Sequence, residues 1–371
     1  MNEAVNEWYF INNVADIDSP ALVIYPQRVK ENIALLISRV ADTALLRPHV
    51  KTNKMAEVCQ MLLDEGISKF KCATIAEAEM LALLKAPDVL LAYQPVGPKV
   101  QRLITLCKSY PSTLFSCLVD SAANADLINE QCVEAAITIN IFIDVNVGMN
   151  RTGIAVDKAF ELFQHCVQLS NLSPVGLHAY DGHINDEDAL IRQQKSDAAF
   201  APVKNLIKKI SASLNIQPIV VVGGSPSFAT HILRQDVEYS PGTFVFWDYG
   251  YKHKLPDEPY DYAALVISRI ISIVDGNTLC ADLGHKSVAA ENPFPRVHFL
   301  NAPEATPVAQ SEEHLVLKVP DSSKYKLGDV LYGVPVHICP TVALYKKAVI
   351  IESKKATTTW DVIARNRKIF N

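Results

Sequence analysis

The segment Arg47-Pro48-His49-Val50-Lys51-Thr52 sets a lone lysine just past a short apolar stretch, Thr43-Ala44-Leu45-Leu46. A primary amine held at the end of a strand can condense with the aldehyde of a cofactor and keep it as a Schiff base. A second constellation is Val222-Gly223-Gly224-Ser225-Pro226-Ser227, a glycine turn that follows an apolar run. Such a turn, opening a helix, offers free backbone N–H groups and a positive helix end to an anion such as phosphate. A third is His337-Ile338-Cys339. If that segment is a strand, its first and third residues share a face, and an imidazole and a thiolate there can hold one Zn2+ with open positions for a substrate oxygen. Between them lies Asp144-Val145-Asn146-Val147-Gly148-Met149-Asn150-Arg151-Thr152-Gly153, dense in polar and turn residues straight after an apolar strand. Amine, phosphate cradle and metal pair together describe carbonyl chemistry assisted by a Lewis acid.

These groups need elements that bring them together, and the chain alternates strand and helix. Ala21-Leu22-Val23-Ile24-Tyr25 is rich in strand formers, and Ile33, Leu36, Ile37 and Val40 then fall on one helical stripe. The stretch before Lys51 is followed by a helix near Lys54 to Glu65, with Gly66 as its stop. Strands continue over 69–73, 89–92, 113–117, 137–145, 175–178 and 219–222, with helices between them, and Thr243 to Trp247 closes the series. About eight such units in about 230 residues favour a closed (β/α)8 TIM-type barrel over residues 18–252. A doubly wound sheet is the alternative, weakened because no G-x-G-x-x-G follows the first strand. Past Lys254 the texture changes to short β runs with Asp275-Gly276-Asn277 as a hairpin turn, an antiparallel β domain over 253–371 that residues 1–17 join. Functional side chains of a barrel sit at the C-terminal ends of its strands. That singles out Lys51 with His49, Thr74, Gln94, Asp120, Asn146, Arg151, His178 with Tyr180 and His183, and Gly223-Gly224-Ser225.

Composition narrows the class. Of 371 residues, 49% are hydrophobic and 20% charged, enough for a large core. A net charge of −5 gives no basic face for nucleic acid. No apolar run reaches membrane-spanning length, and the polar, aromatic start from Met1 to Asp16 does not read as a signal peptide. The eight cysteines lie far apart without a CxxC pair, which reads as buried reduced thiols in a cytoplasmic protein.

Six segments occur in order over nearly the whole chain: Asp18-Ser19-Pro20-Ala21-Leu22-Val23, the Lys51 segment, Ala73-Thr74-Ile75-Ala76-Glu77-Ala78-Glu79, the Gly223 turn, Tyr239-Ser240-Pro241-Gly242-Thr243-Phe244-Val245-Phe246-Trp247-Asp248, and His337-Ile338-Cys339-Pro340-Thr341. The set resembles the D-threonine aldolase and D-serine dehydratase family. Those are pyridoxal-phosphate enzymes with an alanine-racemase-like barrel and a C-terminal β domain. The resemblance implies that Lys51 holds the cofactor and that Arg151 lies near the pyridine ring, where it keeps the ring nitrogen unprotonated. It implies that Tyr180 flanks cofactor and substrate, and that Gly223, Gly224, Ser225, Gly242 and Thr243 hold the phosphate. His337 and Cys339 would bind a divalent metal, Zn2+ by donor type, that polarises the hydroxyl of a D-β-hydroxy amino acid. It further implies a homodimer, in which His285 could reach a partner's site. Aldolases of the family carry a second histidine a few residues past the tyrosine. Here the stretch reads Tyr180-Asp181-Gly182-His183-Ile184-Asn185-Asp186, with His183 as the candidate base and Asp186 in the later place. Dehydration and aldol cleavage therefore both stay open, beside racemisation and a non-catalytic role of holding pyridoxal phosphate.

Overall fold

The computed structural model describes residues 7–369; residues 1–6 and 370–371, expected to join the β domain, lie outside the described residues. Two compact units result. One takes the described chain up to Leu36, Thr52–Val58 and Thr243–Arg365; the other takes Ile37–Lys51, Cys59–Gly242 and the residues from Asn366.

In the second unit, seven strands run parallel in the order Lys69–Cys72, Asp88–Leu91, Leu114–Val119, Ile139–Asn146, Leu172–Ala179, Ile219–Val222 and Glu238–Tyr239. The two ends of that row meet through the segment before Lys51. Leu46 bridges Tyr239 and His49 bridges Lys71, both in parallel sense. Arg47 donates its N–H to Tyr239 O at 2.8 Å and Val50 to Lys71 O at 2.9 Å. The row thus closes into an α/β barrel, with Leu46–Val50 as its eighth member. Leu90, Leu118, Phe142 and Val221 pack as a core cluster. Strands covered by helices on one side and packed on the other read as unbroken apolar runs, as Ile219–Val222 does.

Polar groups at the strand starts hold the closure. Arg47 is 1% exposed and its guanidinium donates to Glu238 through Nε at 2.6 Å and to Asp88 through both Nη atoms at 2.7 and 2.9 Å. Asp88 and Glu238 are the first residues of their strands, and Lys69, which opens another, reaches Glu238 at 2.5 Å. A bidentate fork of this kind satisfies the buried charge as well as placing it. The Ala73–Glu79 segment also has a structural task. Thr74 Oγ1 accepts the Glu77 N–H at 3.1 Å and Glu77 accepts the Ala73 N–H at 2.6 Å, a reciprocal cap on the helix Ile75–Leu83.

The first unit is a nine-stranded, mainly antiparallel sheet, with helices and turns on its edges. Its long central strand Ala264–Asp275 alternates between two cores. Leu265 and Ile267 pack with Tyr9, Ile11, Val23 and Tyr332, while Val266 and Ile270 pack with Leu279, Leu315 and Leu317.

Three local expectations differ from the structure. Ala21–Ile24 is not a barrel strand; it pairs antiparallel with 264–267, Val23 opposite Leu265, and parallel with Lys347–Glu352. A four-residue run buried on both faces carries no period that says which sheet it joins. Thr243–Trp247 is not the closing strand: Thr243–Val245 is a single 3-10 turn, and Glu238–Tyr239 closes the row. Pro241 has no N–H for a ladder, and Gly242 sits so close to His49 O that an added Cβ would lie 2.6 Å from it. Finally, His337 and Cys339 are not on a strand. The strand Val330–Pro335 ends before them, His337 precedes the helix Ile338–Leu344, and Cys339 lies in its first turn, where Pro340 is tolerated.

Candidate active site

Within the barrel unit, Lys51 follows directly on the closing segment and is half-buried; its backbone N–H donates to His49 Nδ1 at 3.2 Å. The Gly223 turn follows the strand Ile219–Val222. Three glycines here are irreplaceable by sterics. Gly223 has φ +68°, and an added Cβ would lie 2.5 Å from His231 Cδ2; at Gly224 it would lie 2.9 Å from the Tyr180 ring. Gly242, against His49 O, donates its N–H to Ser225 Oγ at 3.2 Å. Gly223, Gly224 and Gly242, with the short side chain of Ser225, therefore form one buried, polar wall beside Tyr180, and Thr243 is buried as well. The helix that follows the turn is short, Phe228–His231, and the turn's own N–H groups are partly engaged: Gly223 donates to Ala179 O at 3.1 Å and Gly224 to Ser227 Oγ at 3.4 Å.

That wall rests on a buried hydrogen-bond network. Ser227 donates to Asp181 at 2.5 Å, and Ser196 at 3.0 Å. His231 Nε2 lies 2.8 Å from the same carboxylate, and Arg234 donates to His231 Nδ1 at 2.7 Å, which fixes the ring proton on Nε2. Burial pushes the Asp181 carboxyl up, but His231, Ser227 and Ser196 outweigh it and hold the group below the usual carboxylate range.

Arg151 is exposed and its guanidinium stands 5.2 Å from the Tyr180 ring centroid. Tyr180 is half-buried. His183 is exposed and lies over Gly148, whose missing side chain leaves it room: a Cβ there would come within 2.8 Å of His183 Nε2. Asp186 is bonded to Lys195 at 2.5 Å. The sequence-identified residues Tyr180, Arg151, Gly223, Gly224, Ser225 and Gly242 thus form one neighbourhood.

Two groups deeper in the barrel stand beside these: His178, already a strand-end candidate from sequence, and Lys71, which was not singled out. His178 Nδ1 lies 2.7 Å from Asp144, both buried, and among the described residues His178 Nε2 has no hydrogen-bond partner. Burial lowers His178 more than Asp144 raises it, while His178 keeps Asp144 low against burial; the pair is therefore a carboxylate accepting from a neutral ring. Lys71, on Lys69–Cys72, is 2% exposed and makes one hydrogen bond, at 3.5 Å to Gly223 O. Its partner on the far side of the barrel interior is visible only once the barrel is closed.

The sheet unit carries the other constellation. His337 and Cys339 do meet: their side chains are hydrogen-bonded. His337 Nδ1 lies 2.5 Å from Glu291, and Cys339 Sγ is 3.1 Å from Thr52 Oγ1 and 3.7 Å from Thr243 Oγ1. Burial lowers His337, but Cys339, Asp248 and Glu291 outweigh it and push the ring up to about 9. Asp248 is itself buried, pushed up to about 6 by burial although it accepts N–H bonds from Tyr251 and Ile338. A carboxylate on one ring nitrogen is the support a metal-ligating histidine uses, and with a thiol bonded to the same side chain the nitrogen and sulfur donors fit a divalent ion such as Zn2+. Among the described residues no group of three or more His, Cys, Asp and Glu converges on one point, so this pair would leave the remaining coordination positions open.

Matches with known proteins cover both units. The alanine racemase N-terminal domain family matches residues 24–250, and a putative serine dehydratase domain matches residues 263–351. The chain is 26% identical over 364 residues to a D-threonine aldolase of Arthrobacter sp, covering 95% of this chain and 94% of that one. It is 24% identical over 371 residues to a D-threo-3-hydroxyaspartate dehydratase of Delftia sp. (strain HT23), covering 93% and 97%. Among solved structures, a D-threonine aldolase from Filomicrobium marinum superposes with a TM-score of 0.87 at 24% identity, over 95% of this chain and 96% of that one.

Proposed function

This chain belongs to the alanine racemase N-terminal domain family, and from that premise we propose that it is a pyridoxal-phosphate-dependent lyase acting on a D-β-hydroxy amino acid, of the D-serine dehydratase or D-threonine aldolase type. The observation that carries the reading is the amine of Lys51 directly after the segment that closes the barrel, in the same unit as a buried glycine wall where an added side chain would crowd its neighbours. The relatives that match over nearly the full chain include both an aldolase and a dehydratase.

Bound pyridoxal phosphate would supply the electrophilic aldehyde and the electron-withdrawing ring. Lys51 would hold the aldehyde. The turn Gly223-Gly224-Ser225, with Gly242 and Thr243, would hold the phosphate. Arg151 and Tyr180 would flank the ring, and His183 would serve as a proton acceptor at the substrate. A divalent metal, Zn2+ by its nitrogen and sulfur donors, would be held by His337 and Cys339 and act as a Lewis acid on the substrate hydroxyl. All eight cysteines are free, which supports a reducing, cytoplasmic setting, and a homodimer is the assembly we propose. Among the described residues no helix is long and apolar enough to cross a membrane.

The deciding experiment is product analysis with D-serine and D-threonine, with and without chelator. Pyruvate or 2-oxobutyrate marks dehydration, and glycine marks aldol cleavage. An L-enantiomer would replace the lyase reading by a racemase. Cofactor uptake with no turnover of either substrate would leave a protein that only holds pyridoxal phosphate.

A further inference from the structure

Lys71 poses a physical problem. It lies inside the barrel, 2% exposed, and among the described residues it makes no ion pair. Its ammonium has three donors. One reaches Gly223 O at 3.5 Å, long for a hydrogen bond, and the charge faces the Tyr180 ring at 5.4 Å from its centroid. Asp144 and Asp181 attract it from a distance, whereas Lys51 and Arg47 repel it. A buried ammonium without a counter-charge is heavily penalised, so in native proteins such a group is paired, coordinated or functional. The closing segment fixes where the ammonium points. Lys71 N–H donates to Pro48 O and Val50 N–H donates to Lys71 O, both at 2.9 Å, so the backbone of Lys71 is tied on both sides to the strand that carries Lys51. Its side chain crosses to the first residue of the glycine turn.

Resting on the reading that this turn holds the phosphate of pyridoxal phosphate, we infer that Lys71 is an additional cofactor-positioning residue whose ammonium is the buried counter-charge of that phosphate. The glycine wall offers only neutral N–H donors to a group carrying up to two negative charges. Lys71 supplies the positive charge from beneath the turn, through its contact with the Gly223 carbonyl. Among the described residues it is the only buried lysine. Burial first, and then the charge of Lys51, push the Lys71 amine down to about 7, so a neighbouring anion would favour its charged form. A substrate carboxylate is the competing anion; the contact with the phosphate turn favours the cofactor.

The test compares pyridoxal phosphate with pyridoxal, which lacks the phosphate. Dissociation constants are measured by equilibrium dialysis for the wild-type apoprotein, Lys71→Met and Lys71→Arg. Lys71→Met is expected to weaken pyridoxal phosphate by roughly ten- to hundredfold and to leave pyridoxal within about twofold. Lys71→Arg keeps most of the discrimination. The thermal midpoint of Lys71→Met apoprotein stays level or rises, because a buried unpaired charge is gone; a purely structural lysine would lower it. Equal loss for both compounds, or unchanged affinity for pyridoxal phosphate with a raised KM for D-serine, overturns the assignment. If Lys71→Met does not fold, Lys71→Gln carries the same comparison. Wild-type protein that takes up no pyridoxal phosphate overturns the proposed function itself, while tight wild-type binding with no phosphate discrimination lost in the variant overturns only the role of Lys71.

Discussion

Replacing Gly223 by alanine should damage the phosphate turn in two separable ways. At φ +68° a residue with a side chain pays the left-handed backbone penalty, about 1–2 kcal/mol. Its methyl would also sit 2.5 Å from His231 Cδ2 and 2.9 Å from Ser227 Oγ. Neither neighbour can step aside cheaply. The His231 ring is pinned at both nitrogens, 2.8 Å from Asp181 and 2.7 Å from Arg234, and Ser227 is bonded to the same carboxylate at 2.5 Å. Overpacking of this kind adds about 1–3 kcal/mol. Gly66 provides the internal control: its φ is +81° and nothing lies within 4 Å of an added Cβ, so Gly66→Ala should show the backbone part alone. The assay is urea titration of the two apoproteins followed by circular dichroism, together with dialysis against pyridoxal phosphate. Gly223→Ala should lose about 2–5 kcal/mol against about 1–2 for Gly66→Ala, and only the former should lose cofactor affinity. If both variants lose the same stability and both bind the cofactor as the wild type does, the steric argument for the cradle is wrong.

Three further outcomes can be measured directly. Lys51→Ala should abolish the visible absorbance of cofactor attached through an imine and leave the far-ultraviolet spectrum unchanged; persistence of that absorbance would assign the attachment to another lysine. Glu291→Gln, which removes the carboxylate on His337 Nδ1, should weaken Zn2+ in calorimetric titration roughly ten- to hundredfold, and Cys339→Ala should weaken it further; zinc affinity indifferent to both changes would take the metal away from this pair. Apoprotein stability should rise between about pH 7 and pH 10.5. Lys71, depressed by burial and Lys51, penalises the fold in full below about 7, and the penalty fades as pH passes the unfolded value of 10.5. The unfolded chain binds the extra proton across that window, so stability climbs with pH, by an amount on the order of a few kcal/mol. Lys71→Met should flatten the climb; an identical slope in the variant would place the titration elsewhere.

The parallel class and the antiparallel addition were legible because strand and helix periods alternate over long, strongly patterned stretches. The members of the barrel were less so. Ala21–Ile24 and Thr243–Trp247 are short apolar runs; the sheet of the first was decided by Ala264–Ile267, far along the chain, and the second opens as a 3-10 turn straight after Pro241-Gly242. The segment before Lys51 makes only bridges and a few backbone bonds, yet it completes the barrel. At the site, Tyr180, Arg151 and the glycines could be found because they follow strands in sequence. The His337–Cys339 pair survived an incorrect strand assignment, since the first turn of a helix also brings these side chains into contact. His178 was a strand-end candidate from sequence; Lys71 was not, because a charged residue in Lys69-Phe70-Lys71-Cys72 reads as an outward-facing one until closure turns it inward.

The two ends of the barrel treat buried charge in opposite ways, and that contrast locates the site without reference to any relative. At the strand starts, Arg47 is buried but satisfied by Glu238 and by both oxygens of Asp88. Near the strand ends, the Lys71 side chain has one long bond, and among the described residues His178 Nε2 and Ser240 Oγ, both buried, have no partner. Selection for stability alone would pair or remove such groups, because an unpaired buried polar atom costs about 1–3 kcal/mol and an unpaired charge more. Arg47 shows that this barrel can satisfy a buried cation where folding is the only demand. Unmet polar demand beside the glycine turn is what an anionic, hydrogen-bonding ligand would satisfy; in the proposed reading Gly223, Gly224 and Gly242 leave it room and Lys71 offers it a counter-charge.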